Sequence, residues 1–267
     1  MDTERNKGIA LVTGASGGIG AIYAERLARG GYDLIIVARN AARLEEVAAR
    51  ITTATGRTVK TVTADLNDAA DLRRIEALLR EEAGISMLVN NAGFGAATPL
   101  LNSDVERMAE MIAINVTALT RLTYAAAPAF VARGGGTIVN ISSIVALAPE
   151  VLNGVYGASK AYVLALTQSL QHELGARGLR VQAVLPGATA TEFWKMPGVG
   201  GHENLPKEIV MSAEEMVDAA LAGLDAGEIV TIPALQDGGE WLSYDATRRA
   251  MAQHLGGSAP APRYRAA

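Results

Sequence analysis

Short apolar runs rich in aliphatic residues recur along the chain and alternate with stretches of helical period. Gly8–Val12, Tyr32–Ala38, Thr58–Ala64, Met87–Val89, Thr137–Ile141, Arg180–Leu185 and Glu228–Ile232 read as seven strands. Between them, Ala21–Arg29 reads as a helix. Asn40 is placed to cap a second one, whose apolar face is Leu44, Val47, Ala48 and Ile51. After the turn at Asp65-Leu-Asn67, Leu72, Ile75, Leu78 and Leu79 face inward from a third. Ser103-Asp-Val-Glu106 has the form of a capping box opening a long helix to about Val131, which Pro128 should kink or end. Gly134-Gly-Gly136 breaks the chain, and a further helix starts near Asn153 and stops near Gly178. Ser212-Ala-Glu-Glu215 is a second capping box, opening a helix that ends at Gly227. Strands mostly separated by helices predict an α/β fold, a doubly wound parallel sheet in a single domain over residues 1–255. The Gly-, Pro- and Ala-rich segment 256–267 is expected to be a mobile tail.

Composition narrows the function classes. Of 267 residues, 49% are hydrophobic and 19% charged, and the formal net charge of -4 offers nucleic acid no basic surface. The absence of cysteine removes disulfides, thiolate nucleophiles and cysteine metal sites together. His172, His202 and His254 are far apart and lack metal-ligand spacing, so no metal site is expected. The N-terminus, Met1-Asp-Thr-Glu-Arg, is charged, and the first apolar run is too short to span a membrane. A cytoplasmic protein with no membrane partner is the default.

Two clusters carry candidate chemistry. Tyr156 and Lys160, four residues apart, share one helix face, where an ammonium favours a phenolate. Thr13-Gly-Ala-Ser-Gly-Gly-Ile-Gly20 follows the first strand and precedes a helix, the setting of a phosphate-binding loop. Gly14-Ala-Ser16-Gly-Gly18 also fits the Gly-x-Ser-x-Gly elbow of serine hydrolases, with Ser16 as nucleophile. Against that, the elbow would follow the first strand instead of a later one, its best-placed histidine would be His254 beside the tail, and Gly20 would have no task. At the end of the second strand Arg39 suits an adenosine 2′-phosphate, although a solvated residue at a helix start is the alternative. Asp33 is at the wrong end of that strand and the next acid is Glu45, so NADP(H) is favoured over NAD(H).

Together, the glycine loop, Asn90-Asn-Ala-Gly93, Ser143, Tyr156-x-x-x-Lys160, and Pro186-Gly187 with Thr191 resemble the classical short-chain dehydrogenase/reductases over residues 8–191. Ser143 lies thirteen residues before Tyr156, which also fits that family. The resemblance implies a Rossmann-type fold and an NADP(H)-dependent interconversion of a ketone or aldehyde and an alcohol. It implies that Tyr156 is the general acid/base, Lys160 lowers its pKa and holds the nicotinamide ribose, and Ser143 binds the substrate oxygen. Asn115 would anchor a water linking the lysine to solvent, although a buried structural hydrogen bond explains a mid-helix asparagine nearly as well. Gly14, Ser16, Gly18, Ile19 and Gly20 would cradle the cofactor. Asp65 and Leu66 would meet the adenine, Asn91, Ala92 and Gly93 would line the dinucleotide, and Pro186, Gly187 and Thr191 would touch the nicotinamide end. A homodimer or homotetramer is the family's habit. The Ala234–Gly239 segment and the helical-looking Glu240–His254 depart from its usual C-terminal turn.

Residues 192–212 should form a substrate lid containing Phe193, Trp194, Met196, Pro197 and three glycines. Phe193 and Trp194 read either as a mobile apolar cover or as plain core. With Phe94, Ile144, Val145 and Leu152 they suggest a small hydrophobic carbonyl or alcohol substrate. A carbonyl reductase leads; a non-catalytic NADP-binding sensor or scaffold needs the loop but not Ser143, Tyr156 and Lys160, and the hydrolase is third.

Overall fold

The computed structural model describes residues 7–196 and 198–265. The charged N-terminal pentapeptide, Pro197 and the last two residues of the expected tail lie outside the described residues. Strands β1 (Ile9–Thr13), β2 (Asp33–Ala38), β3 (Val59–Thr63) and β4 (Ile85–Asn90) alternate with helices α1 (Gly18–Arg29), α2 (Ala41–Thr55) and α3 (Ala69–Glu81). Then come α4 (Val105–Ile112), a π-helical segment Ala113–Ala118, α5 (Leu119–Ala132), β5 (Gly136–Ile141), α6 (Gly154–Leu174) and β6 (Leu179–Val184). Two short strands follow, β7 (Ala188–Thr189) and β8 (Val210–Met211), and then α7 (Ala213–Asp225) and β9 (Val230–Thr231). The main sheet has seven parallel strands in the order β3-β2-β1-β4-β5-β6-β9.

The central strands are buried on both faces and read as nearly unbroken apolar runs, whereas the edge strand β3 is partly exposed and mixed with polar residues. Ala10, Val12, Leu34 and Ile36 join one core with α1, α2 and α7. Leu11, Ile35 and Val37 point into the other, with α3, α5 and α6. Strand order reverses between β1 and β4, and a crevice outside the carboxyl ends of such strands is where this architecture binds ligands. The α/β fold runs up to Pro233. A second compact unit begins at Ala234. It contains α8 (Gly238–Ala252), capped by Asp237, with a 3₁₀ turn at Pro262–Tyr264 inside the expected tail.

The caps follow the sequence in part. Asn40 Oδ1 accepts from the Arg43 N–H at 3.0 Å, and Ser212 Oγ accepts from the Glu215 N–H at 3.1 Å. The Ser103 box does not form. Ser103 Oγ donates to the carbonyls of Thr98 and Pro99, each at 2.9 Å, and accepts from Asn153 Nδ2 at 3.1 Å. Its hydroxyl is therefore engaged across the fold, and Asp104 caps α4 instead, accepting from the Glu106 N–H at 3.0 Å. Helix α5 also runs through Pro128 to Ala132, so the proline does not end it; the irregularity lies at the π segment. Replacing Asp104 by Ala should lower stability by about 1 kcal/mol, measured by urea unfolding; no change would mean that the cap is supplied elsewhere.

Candidate active site

At the switch point one hydroxyl joins two strands. Thr13 Oγ1 donates to the Val89 carbonyl at 3.2 Å and accepts from the N–H groups of Asn91 and Ala92, both at 3.0 Å. Asn91 Nδ2 donates to the carbonyls of Thr13 at 2.9 Å and Gly14 at 3.2 Å. The glycine loop is thus moulded against the end of β4. A Cβ on Gly20 would lie 2.5 Å from both Asn91 Nδ2 and the Gly14 oxygen, and Gly14 adopts φ +68°. A Cβ on Gly17, by contrast, would meet nothing within 4 Å. The N-terminus of α1 has no side-chain cap and no acid in its first turn, so its N–H groups face that open side. Ile19 packs against the core and Ser16 sits on the turn.

The far end of the groove is edged by charged residues of both signs. Arg39 is exposed at the end of β2. Asp33 Oδ1 accepts from the Thr58 N–H at 3.0 Å and Glu45 from the Thr61 hydroxyl at 2.6 Å, while Asp65 and Glu110 line the cleft beside Arg39. A cleft of about 390 Å³ lies among Arg39, Asp65, Asn67, Gly93, Phe94 and Arg107. The Leu66 side chain is core, so any adenine contact falls to its main chain. The uncapped α1 N-terminus beside the open face of Gly17 fits the diphosphate of a dinucleotide.

Helix α6 supplies the reactive pair. It starts at Asn153, whose Oδ1 caps Val155 N–H at 2.9 Å and whose Nδ2 donates to the Thr98 carbonyl at 2.7 Å. One turn in, Lys160 Nζ donates to the Ile141 carbonyl at 2.9 Å and lies 5.8 Å from the Tyr156 ring centre. Ser142 Oγ donates to the Lys160 carbonyl at 2.7 Å, fixing α6 to the end of β5. The next residue is Ser143, whose hydroxyl makes two long 3.4 Å contacts, donating to the Pro186 carbonyl and accepting from the Val145 N–H, and which acts on the Tyr156 phenol. Serine, tyrosine and lysine are all buried and brought together as the sequence implied.

Burial acts on the two ionisable groups in opposite directions. It pushes the Tyr156 phenol up to about 12, against a smaller downward pull from Ser143, and the Lys160 ammonium down to about 8. The expected lowering of Tyr156 by Lys160 is not among the causes that act on it here. Asn115 sits in the π segment with its side chain fully engaged. Its Oδ1 accepts from the Phe94 N–H at 3.2 Å, while Nδ2 donates to the Phe94 carbonyl at 2.9 Å and to Ser159 Oγ at 3.1 Å. The buried hydrogen-bonding explanation of this asparagine therefore describes what its side chain does.

The lid starts on the same groove. Pro186 is buried and half-buried Gly187 follows it. The Thr191 methyl lies 3.3 Å from where a Gly18 Cβ would be. Glu192 is held by Arg43 at 2.7 Å and Lys195 at 2.9 Å, which keep its carboxyl down near about 2. Trp194 is buried and donates Nε1–H to the Thr189 carbonyl at 3.0 Å; it is core, not mobile cover. Strands β7 and β8 pair in parallel and close the base of the lid. Thr13, Ser142, Ser159 and the Arg43–Glu192 pair were not singled out from sequence. Only Thr13 carried a local signal, as the residue opening the glycine loop.

Residues 8–197 match the short chain dehydrogenase family model. A short-chain dehydrogenase from Sphingobium yanoikuyae, solved in complex with NADPH, is 46% identical with a TM-score of 0.92, covering 96% of this chain and 100% of that one. A bulky-bulky ketone specific alcohol dehydrogenase from Comamonas testosteroni is 42% identical with a TM-score of 0.89, over 97% and 99% of the two chains. A very-long-chain 3-oxoacyl-CoA reductase from Anas platyrhynchos is 34% identical over 209 residues, 76% of this chain and 67% of that protein.

The lysine shift has a measurable consequence. A lysine whose folded pKa lies below its unfolded value opposes folding while the unfolded chain is still protonated, and that opposition fades as pH rises from about 8 toward 10.5. In nucleotide-free protein, wild type should therefore gain about 2 kcal/mol on Lys160→Met between about pH 7 and pH 10. Urea unfolding across that range checks it, and a pH-independent difference would contradict the shift.

Proposed function

The chain belongs to the short-chain dehydrogenase family, oxidoreductases acting on CH–OH and C=O groups, and from that premise we propose that it is an NADPH-dependent reductase of apolar ketones. The observation that carries this reading is the buried meeting of Ser143, Tyr156 and Lys160 at the end of a glycine-lined groove. A scaffold that only bound nucleotide would need the groove alone. When bound, the dinucleotide supplies the hydride, and everything else falls to the chain's own residues. Ser143 holds the carbonyl oxygen and steadies the charge that grows on it. Tyr156 gives its phenolic proton to that oxygen; an alkoxide is a stronger base than a phenolate, so the proton moves downhill. A phenol held near 12 is protonated at neutral pH, the form that a proton donor needs. Lys160 and Thr191 would hold the nicotinamide end, the α1 N-terminus the diphosphate, and Arg39 the 2′-phosphate.

The substrate is read from two supports. Around Tyr156 the packed side chains are apolar, with Met111, Val145, Phe94, Met108, Leu152 and Phe193 in one cluster. The Comamonas testosteroni enzyme, alike over nearly its whole length, is specific for ketones bulky on both sides. Among the described residues no helix is long and apolar enough to cross a membrane. Exposed Tyr124 on α5 and Tyr162 on α6, the latter hydrogen-bonded to Thr120 Oγ1 at 2.8 Å, support a reading of this face as one for self-association.

Two substitutions test the assignment. Tyr156→Phe should retain NADPH affinity by fluorescence titration and lose ketone reduction by about three orders of magnitude; full activity would remove Tyr156 from the chemistry. Arg39→Asp should weaken NADPH relative to NADH by at least about tenfold. An unchanged ratio of the two dissociation constants would place the phosphate elsewhere.

A further inference from the structure

Tyr156 is only 6% exposed and Ser143 only 8%, so both residues are largely covered by their neighbours. Met111 and Val145 are core, at 0% and 2%. The half-buried member of the cluster on the lid is Phe193. Its ring centre lies 5.8 Å from that of Tyr156 at 45°, and 5.3 Å from that of Trp194, edge to face. Trp194 is pinned through its indole N–H, so Phe193 can turn about its own side-chain bonds while the backbone turn stays fixed.

The ring has a fitted seat. A Cβ built on Gly95 would stand 2.4 Å from Phe193 Cζ and 3.3 Å from Tyr156 Cε2. A side chain there would require the Phe193 ring to move. Gly95 does not have a positive φ, so alanine is compatible with its backbone and only the contact forbids it. Glycine at this position serves to let one aromatic ring lie against another.

We propose that Phe193, seated over Gly95, is the gate and wall that sets how large a second substituent the ketone can carry on the lid side of Tyr156. The inference rests on the ketone-reductase reading and names the side chain that decides substrate width within it. With the ring seated, a methyl substituent demands little displacement. A propyl or aryl group in the same place must lift the ring from Gly95 and lose its packing against Tyr156 and Trp194. The chain should therefore discriminate between ketones by the size of that group, and the discrimination should vanish with the ring.

The test compares acetophenone with 1-phenylbutan-1-one at saturating NADPH, in wild type, Phe193→Ala, Phe193→Leu and Gly95→Ala. Phe193→Ala should raise the ratio of kcat/KM for the propyl ketone to that for the methyl ketone by about tenfold. Gly95→Ala, which pushes the same ring off its seat without removing it, should move the ratio in the same direction. Phe193→Leu should lie between wild type and Phe193→Ala. NADPH affinity should be unchanged in all three. If Phe193→Ala reduces both ketones with a ratio within about twofold of wild type, the gate is refuted and the reductase reading stands. If wild type binds NADPH but reduces neither ketone, the reductase reading fails, and this inference with it.

Discussion

The Thr13 hydroxyl is the joint on which the site turns. It receives two main-chain N–H groups from the end of β4 and gives its proton to Val89, so it spans the one place where strand order reverses. Parallel strands splay at such a point, and the resulting crevice must be lined by backbone that does not collapse into it. Asn91 does the complementary work, holding the Thr13 and Gly14 carbonyls and filling the space that forces Gly14 and Gly20 to be glycine. The groove is therefore built by side chains that turn away from it, which leaves the α1 N-terminus open.

The reactive end follows the same logic of fixation by neighbours. Ser142 ties α6 to β5, Asn153 ties its start to the Thr98 loop, and Asn115 ties Phe94 to Ser159. Because these ties use side chains from three separate elements, Tyr156 and Ser143 keep their spacing without a direct covalent constraint. Burial is the cost of that rigidity, and it acts on charge: the phenol becomes a weaker acid and the ammonium a stronger one. Both shifts favour the neutral forms of the phenol and the amine.

Much of this could be read from the residues. Doubly covered strands announce themselves as aliphatic runs, and the switch point follows from their order once the glycine loop is assigned to β1. Ser143, Tyr156 and Lys160 were legible because their spacing is local to one strand end and one helix. Ser103 was misread because a capping box is a local pattern, whereas its hydroxyl answers to Asn153, fifty residues away. The π segment around Asn115 was invisible for a similar reason: widening a helix is decided by what its side chains grip, here the Phe94 main chain. Arg43 and Glu192 are 149 residues apart, and nothing in either neighbourhood points to the other.

The two-residue ladder between β7 and β8 has a separate consequence. Ala188 pairs with Val210 and Thr189 with Met211, so the chain leaves and re-enters the fold at adjacent points. Everything between them is a closed loop whose length hardly affects the entropy of joining its ends. Changes of length confined to 198–209 leave in place the contacts that Thr191, Glu192 and Phe193 make with the groove, with Arg43 and with Tyr156. That stretch can therefore vary in length while the residues around the groove keep their places.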